Sequence, residues 1–409
     1  MGTNLNNIEL KDKKKIIGWG TGSYFKSVFN RTSIHLDYLV DNDESKVGKE
    51  INGLQVFGPE QILNENSMEV VIVVYSSFYD EIYRQIKQMG NYDVIAVEQI
   101  MEQNEQEAMT QAEKDLIARQ FWDNKREYKG VDLNHWGSND LIVSIINNRL
   151  CGPQYNNWVQ YIRENYLKEK LDLKVLSLGC GTGHLERILL KELSCKLIDA
   201  IDFSPLSIKE AKNRAELEGF SEKINYQIDN LNEVILDANK YDLIVAEESI
   251  HHISNLEHLY QQVNSSLKSD GIFVQNEFTG PNHFQWTDEQ LSEINGILEL
   301  ISPKYKIRDK FNRPTLDQML RTDPSEAVRS SDIIPLTYDF FNVLEQRNVG
   351  GNIMHLLYQC LNTDYFHFNR SAFCEHLLIS LMEYEEKVFL SRGISDAAML
   401  IAQKKTIEE

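Results

Sequence analysis

Positive charge is what this sequence is short of: 42 Lys and Arg stand against 62 Asp and Glu, a formal net charge of −20. Affinity for a phosphate backbone rests on clustered Lys and Arg, so this balance argues against a nucleic-acid partner. The one dense basic run, Lys11 to Lys15, directly precedes an apolar segment and reads as a solvated strand entrance. Cysteine is also scarce. Cys151, Cys180, Cys195, Cys360 and Cys374 are odd in number, widely spread and contain no CxxC, which excludes a disulfide framework and a cysteine zinc site and leaves reduced thiols. No stretch approaches the roughly 20 apolar residues of a membrane span, and the polar start MGTNLNNIEL lacks a signal-peptide apolar core. Gly2 does not complete a myristoylation signal, because position 6 is Asn where Ser or Thr is required. The expectation is a cytoplasmic protein with no membrane span.

Against these absences stand 409 residues, 42% hydrophobic and 25% charged, enough for two or three ordinary cores. The apolar strand Lys174-Val-Leu-Ser-Leu178 runs into Gly179-Cys180-Gly181-Thr182-Gly183. Alternating glycines permit positive φ and leave no Cβ in the way of a ligand, while the helix that follows aims free N–H groups at the same place. Cys180 reads as a small residue tolerated between them. A second apolar strand ends in Asp202, nineteen residues after Gly183, where a carboxylate can accept from ribose hydroxyls. The same spacing occurs earlier in Gly18-Trp19-Gly20-Thr21-Gly22 and Asp41, again nineteen residues on. Only the spacing repeats, and the earlier loop reads equally as a nucleotide site or as the turn of a scaffold, with Trp19 or Tyr24 the side chains that would block it.

The expected fold class is α/β, with short apolar runs alternating with helical patterns over a mostly parallel sheet. Residues 1–100 read as a small Rossmann-like domain, 101–170 as a helical connector and lid, and 171–409 as a second, larger α/β domain with an insertion at about 280–335. Trp136, Ile146 and Trp158 suit either a lid or core packing. GIFVQNEF reads as the fifth strand of the larger domain, YDFFNVLEQRNV as a later one, and SDAAMLIAQKK as a closing antiparallel edge.

The run VLSLGCGTG, then IDAIDFSP, INYQIDNLNE and YDLIVAEESIHHI, resembles the successive motifs of class I S-adenosylmethionine-dependent methyltransferases over about residues 171–278. That resemblance implies S-adenosylmethionine as cofactor, with Gly179, Gly181 and Gly183 near its methionine and ribose portions and Asp202 on the ribose. It also implies Phe203 against the adenine, and Asp229 with the backbone of Asn230 and Leu231 at the adenine edge. Many such enzymes carry an acid two residues before the first glycine, where this chain has Ser177; Glu247 or Glu248 is then expected to share the work of holding the ammonium. GWGTGSYFKSVF with LDYLVDNDESKVGKEINGLQVFGPEQI is similar to small sugar-nucleotide-binding domains of bacterial glycan-modifying enzymes. GPNHFQW, DPSEAVRSSDIIP and VGGNIMHLL resemble methyltransferases of polysaccharide biosynthesis.

These resemblances imply methylation of a sugar or nucleotide-linked sugar. Another small metabolite, or a non-catalytic protein that senses cofactor or nucleotide, remains an alternative, and a homodimer is left open. A hydroxyl acceptor needs a base, and histidine is the side chain whose ordinary pKa lies nearest neutrality. His283 is the first candidate, with Glu277, His251 and His252 as rivals. No metal is expected, since adjacent histidines on a helix diverge by about 100° and no third ligand stands at helical spacing.

Overall fold

A computed structural model describes residues 15–29, 34–76, 78–97, 110–127 and 133–405. The basic run before Lys15, and the connector at 101–109 and 128–132, lie outside the described residues. The chain divides into two compact units, Met1–Lys125 with Pro314–Pro324, and Arg126–Arg313 with Ser325–Glu409. No helix among the described residues is long and apolar enough to cross a membrane.

The first unit is built on a six-stranded sheet: β1 (Lys15–Trp19), β2 (Tyr38–Val40), β3 (Glu50–Ile51), β4 (Leu54–Phe57), β5 (Val70–Val74) and β6 (Asp93–Ala96), in the order β3-β4-β2-β1-β5-β6. All pairings are parallel except the β3–β4 hairpin. The uninterrupted VVIVV of β5 is buried along its whole length, as a central parallel strand covered on both faces must be.

The second unit has seven strands: β7 (Leu173–Leu178), β8 (Cys195–Asp202), β9 (Ile224–Ile228), β10 (Tyr241–Glu247), β11 (Leu267–Phe278), β12 (Phe341–Gly350) and β13 (Ala397–Lys404). Their order is β12-β13-β11-β10-β7-β8-β9. Successive side chains alternate between faces. Val175, Leu243 and Val245 enter one core, while Leu176, Ile244 and Ala246 enter the other. The sequence places the antiparallel closing strand at the sheet edge, and the structure corrects this: β13 lies between β11 and β12 and is antiparallel to both. The reason is burial. Ala398 to Ala402 are fully buried, which demands a partner on each side, whereas β12 carries Asn342, Glu345, Gln346, Arg347 and Asn348, the polar composition of an edge.

The insertion folds into the helices Asp288–Leu300, Leu316–Thr322 and Ile333–Phe340; the last takes Tyr338 to Phe340 out of the expected strand. A third core joins the first of these to the helices Asp140–Cys151 and Ala372–Val388. Trp136 is buried there, Trp158 is buried against the sheet, and Ile146 packs partly buried against both cores. These helices meet at a buried carboxylate. Glu385 accepts from the N–H groups of Gly351 (3.1 Å), Ile353 (2.7 Å) and Met354 (2.9 Å), and pairs with Arg149 at 3.3 Å. Arg149 in turn donates to the carbonyls of Val349 and Met382, both at 2.8 Å. Removing one partner of a buried pair strands the other charge, so Glu385→Ala is expected to lower the unfolding free energy of the second unit by about 3–5 kcal/mol. A urea midpoint that stays at the wild-type value would show that water already satisfies Arg149.

Candidate active site

Parallel strands all deliver their carboxyl ends to one rim of the sheet, and at β7 that rim carries the glycine loop. Gly179, Gly181 and Gly183 have φ of 69°, 52° and 74°, the left-handed region that glycine occupies without strain. A Cβ on Gly179 would collide with Ser249, and one on Gly183 with the Tyr226 hydroxyl. The loop is held from the next strand. Asp202, at the end of β8, accepts from the Gly181 N–H through Oδ2 (2.7 Å) and from the Ser204 N–H through Oδ1 (2.8 Å). Phe203 beside it is partly buried, the Asp229 N–H donates to the Asp202 carbonyl at 3.2 Å, and Asn230 follows with its N–H on Asp229 Oδ1 at 2.8 Å. Leu231 turns its side chain into the core, leaving only its backbone for a ligand. The structure thus brings together at one rim every residue that the resemblance assigns to the cofactor.

Glu247 ends β10 next to β7; its Oε1 accepts from the Trp158 indole N–H at 2.9 Å, and burial holds its carboxyl above the usual range. A second carboxylate was missed by sequence reasoning. Ser177 donates its hydroxyl to Glu186, which lies wholly buried on the helix His184–Glu192 directly after the loop. The acid absent from the strand is therefore supplied to the same neighbourhood by the helix. Burial pushes Glu186 up to about 7, and its Oε2 has no hydrogen-bond partner among the described residues. Position three after the last glycine was the available signal, but an acidic residue in a helix's first turn ordinarily means only a favourable dipole contact. Burial, then the charges of Glu186 and Asp202, push the Cys180 thiol well up, so it stays protonated and inert.

Next to the loop, the short turn Ile250–His252 follows β10. Glu277, buried near the end of β11, organises it. Its Oε1 accepts from the N–H groups of Ser249 and Ile250, both at 2.9 Å, and its Oε2 meets His251 Nδ1 at 2.8 Å. Burial alone would depress His251. The hydrogen bond and charge of Glu277, followed by Glu326 and Glu248, outweigh it and hold the imidazolium up at about 9. His283 sits in a kinked turn with φ of 48°, and Phe284 and Ala327 share this left-handed conformation at 55° and 50°. Such strain is tolerated where surrounding contacts over-determine the backbone, as at binding sites. The segment after Pro324 knits the histidines together: the His283 N–H donates to the Ala327 carbonyl (2.7 Å), and the Val328 N–H to the His251 carbonyl (3.0 Å). His283 Nδ1 lies 3.1 Å from the Glu326 carbonyl, and His252 Nδ1 lies 3.2 Å from Ser325 Oγ.

Rings line this side. Phe284 stacks on Trp286 at 4.8 Å and meets Phe278 edge-on at 5.0 Å, while His355 stands within 5.9 Å of Phe278, Phe284, Trp286 and Trp136. Burial, then the charges of His135 and His251, drive His355 down to about 3, so it is neutral. A lone histidine in an apolar helical run gave no sequence signal for this placement.

His251 and His252 do not stand on a regular helix, where adjacent side chains would diverge. His251 and His252 occupy a short turn with ring centroids 4.3 Å apart, and the third donor, Glu326, arrives from the insertion. These three are the one group of His, Cys, Asp and Glu among the described residues whose ligand atoms all lie within 4.8 Å of one another.

In the first unit Asp41 is occupied by its own loop. It accepts from Thr21 N–H (2.8 Å) and the Thr21 hydroxyl, pairs with Lys46 (3.1 Å), and accepts from the Asp43 N–H at 2.9 Å. A Cβ on Gly18 would meet Leu36 and Leu39 at 2.7 Å, and one on Gly20 the Tyr75 carbonyl at 2.7 Å; at Gly22 it would meet open space. Trp19 and Tyr24 are buried in the unit's two apolar cores.

Residues 169–313 match a family model described as a methyltransferase domain, and residues 12–96 one described as C2185-like, N-terminal. A curated relative, malonyl-[acyl-carrier protein] O-methyltransferase 2 of Ilyobacter polytropus, is 28% identical over 220 residues, 47% of this chain and 83% of the relative. Ubiquinone biosynthesis O-methyltransferase of Coxiella burnetii is 29% identical over 113 residues, covering 27% of this chain and 47% of that protein. Among solved structures, phosphoethanolamine N-methyltransferase 1 of Haemonchus contortus aligns at 13% identity and a TM-score of 0.42, covering 74% of this chain and 51% of that one. Fold, loop and family model together define a class I methyltransferase domain in the second unit. The protein is an S-adenosylmethionine-dependent methyltransferase.

Two outcomes are expected of this rim. Asp202→Ala removes the carboxylate that holds the Gly181 amide and that the resemblance places on the ribose, and S-adenosylhomocysteine binding measured by calorimetry should weaken by about 1.5–3 kcal/mol. Glu186 retains in the folded state a proton that the unfolded chain releases near the ordinary glutamate value. Its contribution is therefore fully present below that value and is lost as pH rises through about 7. Thermal melts between pH 5 and 8 should show a shallower fall in Glu186→Gln than in wild type, and parallel curves would remove Glu186 as the titrating group.

Proposed function

We propose that the protein methylates a hydroxyl of a sugar, free or nucleotide-linked. The observation that carries this reading is the setting of His283. Its Nδ1 lies 3.1 Å from a main-chain carbonyl, which can only accept, so Nδ1 donates its proton there and Nε2 is the nitrogen that would take one from an acceptor. His251, paired with Glu277 and held protonated near neutrality, is poorly suited to that task. The rings of Phe278, Phe284 and Trp286 supply apolar faces of the kind that pack against sugar C–H surfaces.

S-adenosylmethionine supplies a methyl on a sulfonium that leaves readily as the neutral thioether. The glycine loop and Asp202 position the donor, and the aromatic wall excludes water and aligns the acceptor oxygen. The acceptor oxygen forms its bond to the methyl carbon as the carbon–sulfur pair returns to sulfur, and His283 Nε2 takes the hydroxyl proton. Glu277 acts through the turn at 249–251, which it orients. The loop at Gly18, Gly20, Gly22 and Asp41 is proposed as a separate nucleotide site of the first unit, and a homodimer belongs to the same reading.

A second reading is favoured by the malonyl-[acyl-carrier protein] O-methyltransferase likeness: a carboxylate acceptor, which carries no proton to remove. The two separate cleanly. With a panel of free sugars, nucleotide sugars and carboxylic acids and radiolabelled donor, hydroxyl methylation is expected, and His283→Ala should lower turnover by roughly 10² or more with cofactor affinity unchanged. Transfer to carboxylates alone, with His283→Ala at wild-type rate, would replace the sugar reading.

A further inference from the structure

We propose that His251, His252 and Glu326 bind a divalent cation of the zinc class, which would hold the acceptor oxygen. The inference rests on the reading of this side of the rim as the acceptor side. A zinc ion lies about 2.0–2.2 Å from nitrogen and carboxylate ligands, so two tetrahedral ligands stand roughly 3.4 Å apart. His251 Nε2 and Glu326 Oε1 are 3.6 Å apart, and ligand atoms of all three residues fall within 4.8 Å of one another, so modest closure completes the triad.

Both rings are oriented from behind. Glu277 engages His251 Nδ1 at 2.8 Å, the arrangement in which a carboxylate fixes a histidine's orientation and directs its other nitrogen to a metal; a cation bound there would displace the Nε2 proton of the imidazolium into solvent. Ser325 Oγ lies 3.2 Å from His252 Nδ1, so the segment that brings the carboxylate ligand also brings a group that orients the second ring. Two imidazoles and one carboxylate favour zinc and neighbouring first-row ions over magnesium or calcium, which prefer oxygen cages. Three protein ligands leave a fourth position open, the pattern of sites where the metal meets a substrate oxygen. A cation there would lower the pKa of a coordinated hydroxyl and lessen the demand on the base.

The test titrates zinc chloride into the full-length protein by calorimetry, without S-adenosylmethionine. Wild type is expected to take up one equivalent, and Glu326→Gln and His252→Gln each to raise Kd by about tenfold or more. His376→Ala, an exposed histidine elsewhere, is expected to bind as wild type. S-adenosylhomocysteine binding, measured on the same samples, should be equal in all four proteins and so report intact folding. Absence of zinc uptake by wild type, or equal uptake by wild type and both ligand variants, overturns the metal site. Failure of wild type to bind S-adenosylhomocysteine would count instead against the reading of the rim itself.

Discussion

One interaction organises the cofactor rim: the carboxylate at the end of β8 accepting from a backbone amide of the glycine loop at the end of β7. A loop of three left-handed glycines has no side chains of its own to define it, and glycine loses more conformational entropy on ordering than any other residue. The Gly181–Asp202 bond at 2.7 Å replaces that missing definition from the neighbouring strand, and Asp202 is itself anchored by the Ser204 amide. The first unit uses the same device, with Thr21 and Asp43 amides on Asp41. The shared spacing of nineteen residues is thus the chain length needed to return to the adjacent parallel strand and cap the loop. It carries information about loop geometry in both units.

Charge placement on the acceptor side follows from a second constraint. Glu277 and Glu385 are both fully buried carboxylates, and both are satisfied chiefly by backbone N–H groups at the start of a helical turn. Each defines a chain reversal: Glu277 the turn that presents His251 and His252, Glu385 the Gly350–Gly351 corner that leads into the helix bearing His355. Histidines of opposite character result within one cluster. His251 is driven up by its carboxylates, and His355 is driven down by burial and then by the charges of His135 and His251. Groups of similar chemistry pushed apart in this way are what a proton-handling site requires.

Much of this was legible in the residues. Alternating glycines after an apolar strand, an acid at the end of the next, and periodic apolar runs specified the α/β class and the rim at the strands' carboxyl ends, because these depend on backbone conformation and on strand-to-strand spacing within a local stretch of chain. The position of β13 was not legible, since AAMLIA is equally consistent with an edge or a buried strand until its neighbours are known. Glu186 escaped notice because its role depends on Ser177 lying opposite it, a pairing between a strand and a helix face. The objection to adjacent histidines as ligands assumed a regular helix, and the turn at 250–252 is not one.

What the sequence determined by itself, then, is the local grammar: two glycine loops each followed by an aspartate nineteen residues on, the parallel strands that carry them, and the chemistry of a methyl donor site. What only the tertiary structure decided is which distant side chains share a neighbourhood. Glu326 and Ser325 reach the His251–His252 turn, Asp396 reaches Gln290 and Asn352, and His355 enters the ring cluster of Phe278, Phe284 and Trp286. Those meetings are set by how the insertion and the C-terminal helices bury their apolar faces against the sheet. Burial is non-directional in sequence, so it leaves no spacing signal for the polar groups it brings together.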